Sequence, residues 1–561
     1  MATLAGFVLG IAMGFGEPAV AAQNILLKYG YLKIDIPVSA LETYANTGTA
    51  EPALKPYLDL LTSRQQTQIR QFLQFKLPIT PEIAQHILQE PNVNEFLSLY
   101  VEDILQPVSA QQGKGTGALK TAILNSAATF NSLSILQVLQ QFSSDTIEVN
   151  TSLALRALQE SRTLHTITQT LAKNLEDMTA AAAATEALPA AGIDLRQPGI
   201  FTHTFQTLTL TDPRRKRRFA VDLYVPNAKK TVPLILIENG HGAQRHYFDF
   251  LAQHLASHGF AVAIPDHPGS NYQQQQKFIT QKASTIFVAQ EFVDRPLDDT
   301  YLLDELERLN SSKFQNRLNT SNVGVLGYSL GGTTALSLAG ATFNFDRLTR
   351  DCGRNRNRWN LSSVFQCRAL ELPRKSYALR DERVKAAFIF VSFGSSLYGE
   401  SGLSQVRIPV FVQALVEDIF TPLTIEQLPT FAGLQSSSKY LSIISGFPHV
   451  TAKSVLRTYV EAHNASSLPT ANLTSRSQPV ARLSLEEKGM RKTLNPFSLA
   501  FFQLHLAQNN QYLPYLQAAY AKAFSEGSSY DVSFVRSLLP KQVESLQNLQ
   551  HHISGLVSAS N

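Results

Sequence analysis

Cysteine is scarce: only Cys352 and Cys367 occur among the 561 residues. Neither has a second Cys or a His at the short spacing by which proteins hold zinc, so no metal site is expected. In an oxidising compartment two nearby cysteines with no third suit one Cys352–Cys367 disulfide; otherwise two buried thiols remain. Such a bridge closes a loop of roughly 15 residues and contributes about 3 kcal/mol. Charge is thin as well. Charged residues make up 17% and the net charge is +5, against about 25% charged residues in ordinary globular chains. That balance excludes a highly charged disordered chain and gives no support for nucleic-acid binding. Phosphate loops are missing too. No G-x-x-x-x-G-K and no G-x-G-x-x-G after a first strand is present, so nucleotide use is unsupported. The basic run Pro213–Arg218 lies between two alternating stretches and reads as a solvated hairpin turn.

What is present is apolar and long. Hydrophobic residues reach 44%, enough for sizeable cores, and the length calls for two domains or one large domain with additions. The first apolar run, Leu4 to Phe15, is too short to span a bilayer. It is followed by Ala19-Val20-Ala21-Ala22, the small-residue pattern of a cleavage site, so residues 1–22 are expected to be an export signal, although no Lys or Arg precedes the run. Residues 23–175 read as a mostly helical domain. It opens on a hairpin around Tyr29-Gly30-Tyr31, with a capping box at Ser39 and Glu42 and a cap and N1 proline at Thr80-Pro81. No His, Cys or acidic cluster marks this domain, which suits a packing or interaction module. The alanine-rich stretch within 176–198, with Pro189 and Gly192, reads as a linker.

From 199 to 561 the periodicity changes. Phe201–Leu210 and Phe219–Val225 alternate like half-exposed strands. Leu234–Ile237, Phe260–Ile264, Val323–Leu326, Ala387–Val391, Val410–Ala414 and Tyr440–Ile444 are short apolar runs of the kind a buried parallel sheet uses. Amphipathic helices are expected between them at Tyr247–Ser257, Pro296–Leu309, Leu330–Leu338 and Ile425–Phe431. Strand and helix in alternation give a doubly wound α/β domain.

Gly327-Tyr328-Ser329-Leu330-Gly331 matches G-x-S-x-G in the setting that motif requires, a strand before it and a small-residue helix after it. The turn lifts a serine hydroxyl clear of the sheet, which makes Ser329 the candidate nucleophile. A serine hydroxyl needs a histidine to take its proton and an acid to orient that histidine, in the chain order Ser, acid, His. Asp418 follows the strand Val410–Ala414, with Glu417 as the competing acid, and His449 follows the next strand. An oxyanion needs two backbone N–H donors, one from Leu330 and one from the Asn239-Gly240-His241-Gly242 loop, where His241 is the candidate. A side-chain role for His241 as a second base is the weaker alternative.

Several segments together carry a resemblance: Asn239-Gly240-His241-Gly242, Ala263–Ser270, Arg295-Pro296-Leu297-Asp298, Gly327–Gly332 and Gly446-Phe447-Pro448-His449. From about Gly199 on, the chain resembles bacterial α/β-hydrolases related to platelet-activating-factor acetylhydrolase and dienelactone hydrolase. The front domain, with Ile25–Gly30, resembles the helical domain of unknown function that precedes such hydrolases in cyanobacterial proteins. The resemblance implies an exported serine esterase or lipase acting on lipid-like or acylated esters without a cofactor. Asn239 stands where relatives commonly have His. Leu330 stands where plant chlorophyllases, distant relatives, usually have Arg, so chlorophyll-ester hydrolysis is an alternative substrate. A non-catalytic binding protein on the same scaffold is the alternative from another class.

The connection at about 343–383 is long for this fold. It interleaves Arg347, Arg350, Arg354, Arg356, Arg358 and Arg368 with Phe343, Phe345, Trp359 and Phe365. Two readings follow: a lid over Ser329 that meets an anionic lipid surface, or a surface excursion pinned by the disulfide.

Overall fold

A computed structural model of the chain describes residues 22–29, 32–59, 61–100, 105–107, 115–142, 144–189, 193–353, 359–447, 449 and 485–558. Residues 1–21 of the expected export signal, and Arg354, Arg356 and Arg358, lie outside the described residues. No helix among those described is long and apolar enough to cross a membrane.

The chain divides into two compact units, residues 1–163 and 164–561. In the first, β1 (Asn24–Tyr29) and β2 (Leu32–Pro37) form the expected antiparallel hairpin. Three further short strands are β3 (Leu77–Pro78), β4 (Leu105–Pro107) and β5 (Ser132–Leu133), and β6 (Thr146–Asn150) joins the hairpin in a four-stranded sheet of order β2-β1-β6-β4. Helices supply the rest. Thr80 caps the helix Pro81–Gln89 by accepting from the Ile83 N–H, with Pro81 in its first turn. The expected box at Ser39 is not formed, because the helix Val38–Thr47 starts directly behind Pro37 and leaves Ser39 inside the first turn. A capping box sits instead at Thr62 and Gln65.

The helix Thr151–Ala183 runs through the domain end expected near Leu175. From Leu164 onward its residues pack in the second unit, where Leu171 and Leu175 are buried in the main core. The Thr179 hydroxyl accepts from the Phe534 N–H at 2.8 Å. The alanine-rich stretch therefore begins as the last turn of a helix, as expected of the residue with the highest helix propensity, and not as a linker.

The second unit is built on a nine-stranded sheet. Its strands are β7 (His203–Asp212), β8 (Arg217–Pro226), β9 (Val232–Glu238), β10 (Ala261–Pro265), β11 (Leu318–Tyr328), β12 (Val384–Phe390), β13 (Val410–Leu415), β14 (Lys439–Ser445) and β15 (Asp531–Val535). Their order is β15-β14-β13-β12-β11-β9-β10-β8-β7. The strands from β14 across to β10 run parallel, and β8, β7 and β15 are antiparallel additions at the edges. All eight expected strands, six from the apolar runs and two from the alternating stretches, are present, and β15 is additional. Two large apolar cores cover the two faces, one holding Leu234, Leu236, Val325 and Ile389 and the other Ile235, Ile237, Leu326 and Phe388. Successive residues of one strand entering opposite cores is the mark of a strand buried on both faces, which explains the unbroken apolar runs.

The chain leaves β9 for β10 on one side and then returns to β11 on the other. Loops leaving β9 and β11 therefore diverge, and a crevice opens at the carboxyl ends of these two strands. Ser329 and the Asn239–Gly242 loop stand at that point.

Candidate active site

Ser329 follows β11 directly and precedes the helix Leu330–Leu338. Its backbone is at φ 55° and ψ −119°, a conformation that costs a non-glycine residue on the order of 1–3 kcal/mol. Hydrogen bonds hold it there. The Ser329 N–H donates to the Phe390 carbonyl at 2.9 Å, and the Gly332 N–H donates to the Ser329 carbonyl at 2.8 Å. The two motif glycines are required by contact: a Cβ on Gly327 would lie 2.1 Å from the Gly331 carbonyl oxygen, and one on Gly331 would lie 2.1 Å from that of Glu238. The turn is thus wedged against the end of β9.

Asp418 and His449 meet beside this turn. His449 Nδ1 lies 2.9 Å from Asp418 Oδ2, and both residues are buried. Asp418 Oδ1 accepts from the backbone N–H groups of Phe420 and Thr421, each at 2.8 Å, while the Thr421 hydroxyl donates to Oδ2. Burial pushes the Asp418 carboxyl up, but His449 and Thr421 outweigh it and hold the acid below its ordinary value. Glu417, the competing acid, is exposed. Tyr328 connects the pair to the serine turn: its ring centroid is 5.2 Å from that of His449, and its hydroxyl donates to the His449 carbonyl at 3.3 Å. Phe420 stands perpendicular to the imidazole at 5.7 Å. The structure therefore joins acid and histidine directly and sets them against Tyr328, the residue before Ser329.

The loop after β9 closes the other side. A Cβ on Gly240 would touch the Tyr328 ring at 2.9 Å and Ser329 Cβ at 3.4 Å, so this loop passes over the serine. Neither the His241 nor the Leu330 N–H donates to a backbone carbonyl among the described residues, which leaves both available to an oxygen above Ser329. The His241 ring is engaged elsewhere. Its Nε2 lies 3.0 Å from the Ile286 carbonyl, between Phe287 and Phe365, and burial brings its pKa down to about 4. A ring nitrogen held against a carbonyl must carry the proton, so this nitrogen is not a base.

Behind the loop lies a buried charged cluster that no local motif marks as a unit. His267 is held at both nitrogens, by Glu238 at 2.9 Å and Asp298 at 2.9 Å. Burial opposes its charging, but Glu238 and Asp298 outweigh that and raise its pKa. Arg217 pairs with Asp298 and Glu291, and Arg295 pairs with Glu238 at 3.0 Å. Burial and the charge of Glu238 hold the Asp299 carboxyl well above its ordinary range. Glu238, His267 and Asp299 present ligand atoms within 4.8 Å of one another. A cation does not fit them, because both His267 nitrogens are already committed to carboxylates and Arg295 already occupies Glu238 Oε2.

The expected disulfide is formed between Cys352 and Cys367, with Cα atoms 5.6 Å apart. Around it the described aromatic residues of the insertion pack against one another and against the sheet domain. Phe343 and Phe345 pack with Tyr377, and Phe365 packs with Phe393 and Phe420. Arg347 pairs with Asp351, Arg368 with Glu371, and Arg374 with Asp346. Among the described residues the disulfide and these contacts tie the excursion to the domain, while Arg354, Arg356 and Arg358, on which the lid reading rests, lie outside the described residues.

Residues 233–401 match the family model described as alpha/beta hydrolase fold. The chain carries an α/β-hydrolase domain. The match to the hydrolase domain runs from β9 through β12 and takes in the Asn239–Gly242 loop and Ser329, while Asp418 and His449 lie beyond it. Residues 21–150 match a second model, described as alpha/beta hydrolase of unknown function (DUF1400). No curated protein matches the chain.

Proposed function

We propose that this hydrolase is a serine carboxylic-ester hydrolase working through an acyl-serine intermediate. The observation that carries the reading is the buried His449–Asp418 hydrogen bond beside a serine held in a strained strand-to-helix turn. In the first half-reaction His449 Nε2 takes the Ser329 proton as Oγ attacks the ester carbonyl. Asp418 fixes the Nδ1–H tautomer and stabilises the imidazolium. The N–H groups of His241 and Leu330 receive the developing oxyanion. His449 then gives its proton to the departing alcohol, and water enters by the same steps in reverse to release the acid and free Ser329.

Lipid-like or acylated esters are the proposed substrates, on the aromatic surroundings of the site and on the sequence resemblance to platelet-activating-factor acetylhydrolase and dienelactone hydrolase. Export to an oxidising compartment is part of the same reading, supported by the Cys352–Cys367 bridge and the small-residue pattern ending at Ala22. A fluorophosphonate probe tests the chemistry. It should label the wild-type chain at Ser329 and leave Ser329→Ala unlabelled, and Ser329→Ala and His449→Ala should each lower turnover by about six orders of magnitude. Labelling of Ser329→Ala at the wild-type rate would assign the nucleophile elsewhere.

A further inference from the structure

We propose that Arg295 is a positioning residue that holds both ends of the oxyanion loop Asn239–Gly242; this rests on the serine-hydrolase reading above. Arg295 is among the largest side chains buried in the molecule, at 2% exposure. Its Nη2 donates to the Asn239 carbonyl at 2.6 Å and to Glu238 Oε2 at 3.0 Å. Its Nη1 donates to Ser270 Oγ at 3.3 Å. The far end of the loop returns to that same serine, because the Gly242 N–H donates to the Ser270 carbonyl at 2.8 Å. One planar guanidinium thus spans the residue that enters the loop and the residue that receives its exit.

The consequence for chemistry follows from peptide geometry. A planar peptide fixes its N–H opposite its carbonyl, so pinning the Asn239 oxygen fixes the peptide that carries the Gly240 N–H, and the Gly242 N–H on Ser270 fixes the other end; the His241 N–H lies on the short stretch between these two anchored peptides. Oxyanion donors act only when they are fixed before charge develops, and an error of about 1 Å costs on the order of a hundredfold. The surrounding cluster keeps the guanidinium in place. Glu238 Oε2 is shared between Arg295 and His267, His267 is tied to Asp298, and Ser270 Oγ is also bound by Glu291 at 3.0 Å. Packing alone gives no reason for such a group, since well-packed apolar residues of the same volume are often at least as stable as a buried ion pair.

The test compares Arg295→Met, Arg295→Lys and Arg217→Met in the full chain. Arg217 belongs to the same cluster but does not touch the loop. On a soluble p-nitrophenyl ester, Arg295→Met should lower kcat by about 100- to 1000-fold with KM within about threefold, the signature of a misaimed oxyanion donor. Its affinity for a boronic acid, which forms a tetrahedral adduct on serine, should fall in parallel, and the shape of the pH–rate profile should not change. Arg295→Lys should recover part of the loss. Arg217→Met should lower Tm yet keep kcat within about threefold of wild type. If Arg295→Met does not fold, Arg295→Lys carries the test, because an ammonium cannot reach Asn239 and Ser270 together: a tenfold loss of kcat supports the role and an unchanged kcat overturns it. Unchanged turnover of folded Arg295→Met, or an equal loss in Arg217→Met, also overturns it. Wild-type labelling at Ser329 separates these results from failure of the serine-hydrolase reading, which an unlabelled wild type would remove together with this one.

Discussion

Replacing Asp418 by Asn should remove turnover while leaving the fold in place, and the reason lies in which oxygen does what. Oδ1 accepts two backbone N–H groups, from Phe420 and Thr421, each at 2.8 Å. Placing an amide NH2 there would set donors against donors and leave two buried N–H groups unpaired, at about 1–3 kcal/mol each. The Asn oxygen must therefore take the Oδ1 place, and its NH2 must take the Oδ2 place, 2.9 Å from His449 Nδ1. Thr421 adapts, since its hydroxyl can turn to accept. His449 cannot: facing a donor, Nδ1 must become the acceptor, and the proton moves to Nε2, where a lone pair is needed to receive the Ser329 proton. The wrong tautomer should lower kcat by about four orders of magnitude, roughly 5 kcal/mol at the barrier. Asp418→Ala should lose activity comparably but also stability, because it strands the Phe420 and Thr421 N–H groups. The measurements are kcat on a soluble ester and Tm for each variant, with Glu417→Gln as the exposed neighbour that should change neither. Asp418→Asn retaining turnover within tenfold of wild type would refute the assignment of the acid.

Gly331→Ala should destabilise strongly, because its Cβ would lie 2.1 Å from the Glu238 carbonyl, whereas Gly117→Ala, with nothing within 4 Å, should be neutral or stabilising by up to about 1 kcal/mol; thermal denaturation of the two variants checks the contrast. Removing the bridge with Cys352→Ser and Cys367→Ser should lower unfolding stability by about 3 kcal/mol, and a reductant should do the same to the wild type; equal denaturation midpoints would show that the bridge constrains nothing. His267 has a raised pKa in the folded chain, so its contribution to stability is complete below the ordinary histidine range, about 6.5, and is lost as pH rises through the raised value. Unfolding free energy against pH should therefore decline more on the alkaline side in wild type than in His267→Gln, and identical slopes would count against a charged His267.

The sheet was legible because strands buried on both faces have to be apolar at every position, and all six such runs, with the two alternating stretches at one edge, correspond to strands. Asp531–Val535 escaped because an edge strand, covered on fewer sides, carries Asp531 and Ser533 between its apolar residues. The candidates Ser329, Asp418 and His449 came from the G-x-S-x-G motif and from chain order, and each does follow a strand end. The contact between His449 and Asp418 required the fold, as 31 residues separate them. The Arg295 cluster was visible only as quoted segments. Its meaning depends on Glu238, Ser270 and Arg295 converging from three elements, and no local spacing encodes that. The domain boundary was misplaced for a different reason: alanine-rich sequence fits a helix at least as well as a linker, and Leu171 and Leu175 supply a face that packs.

The insertion shows how a buried charge can decide between a moving part and a fixed one. Glu426 is fully buried, and hydrogen bonds surround its carboxylate. Asn360, Ser362 and Gln366 of the insertion donate to Oε1 together with the Ser395 hydroxyl, and the backbone N–H groups of Gly394 and Ser395 donate to Oε2 at 3.0 Å. Gln366 in turn accepts from the Ser396 and Leu397 N–H groups. Swinging residues 359–372 outward would strip the insertion's donors from a carboxylate that has no cation in direct contact, and each bond to a charged group is worth about 1.5–3 kcal/mol. Opening therefore costs more than the few kcal/mol that a ligand-driven lid can spend. Phe365 rides on this fixed segment, 5.1 Å from the His241 ring and 5.8 Å from that of Phe420. It stands between the loop that would receive the oxyanion and the residue that helps hold Asp418. On the serine-hydrolase reading, Phe365→Ala should therefore change the preference among soluble esters of different acyl length, and an unchanged ranking would refute a wall role for this side chain.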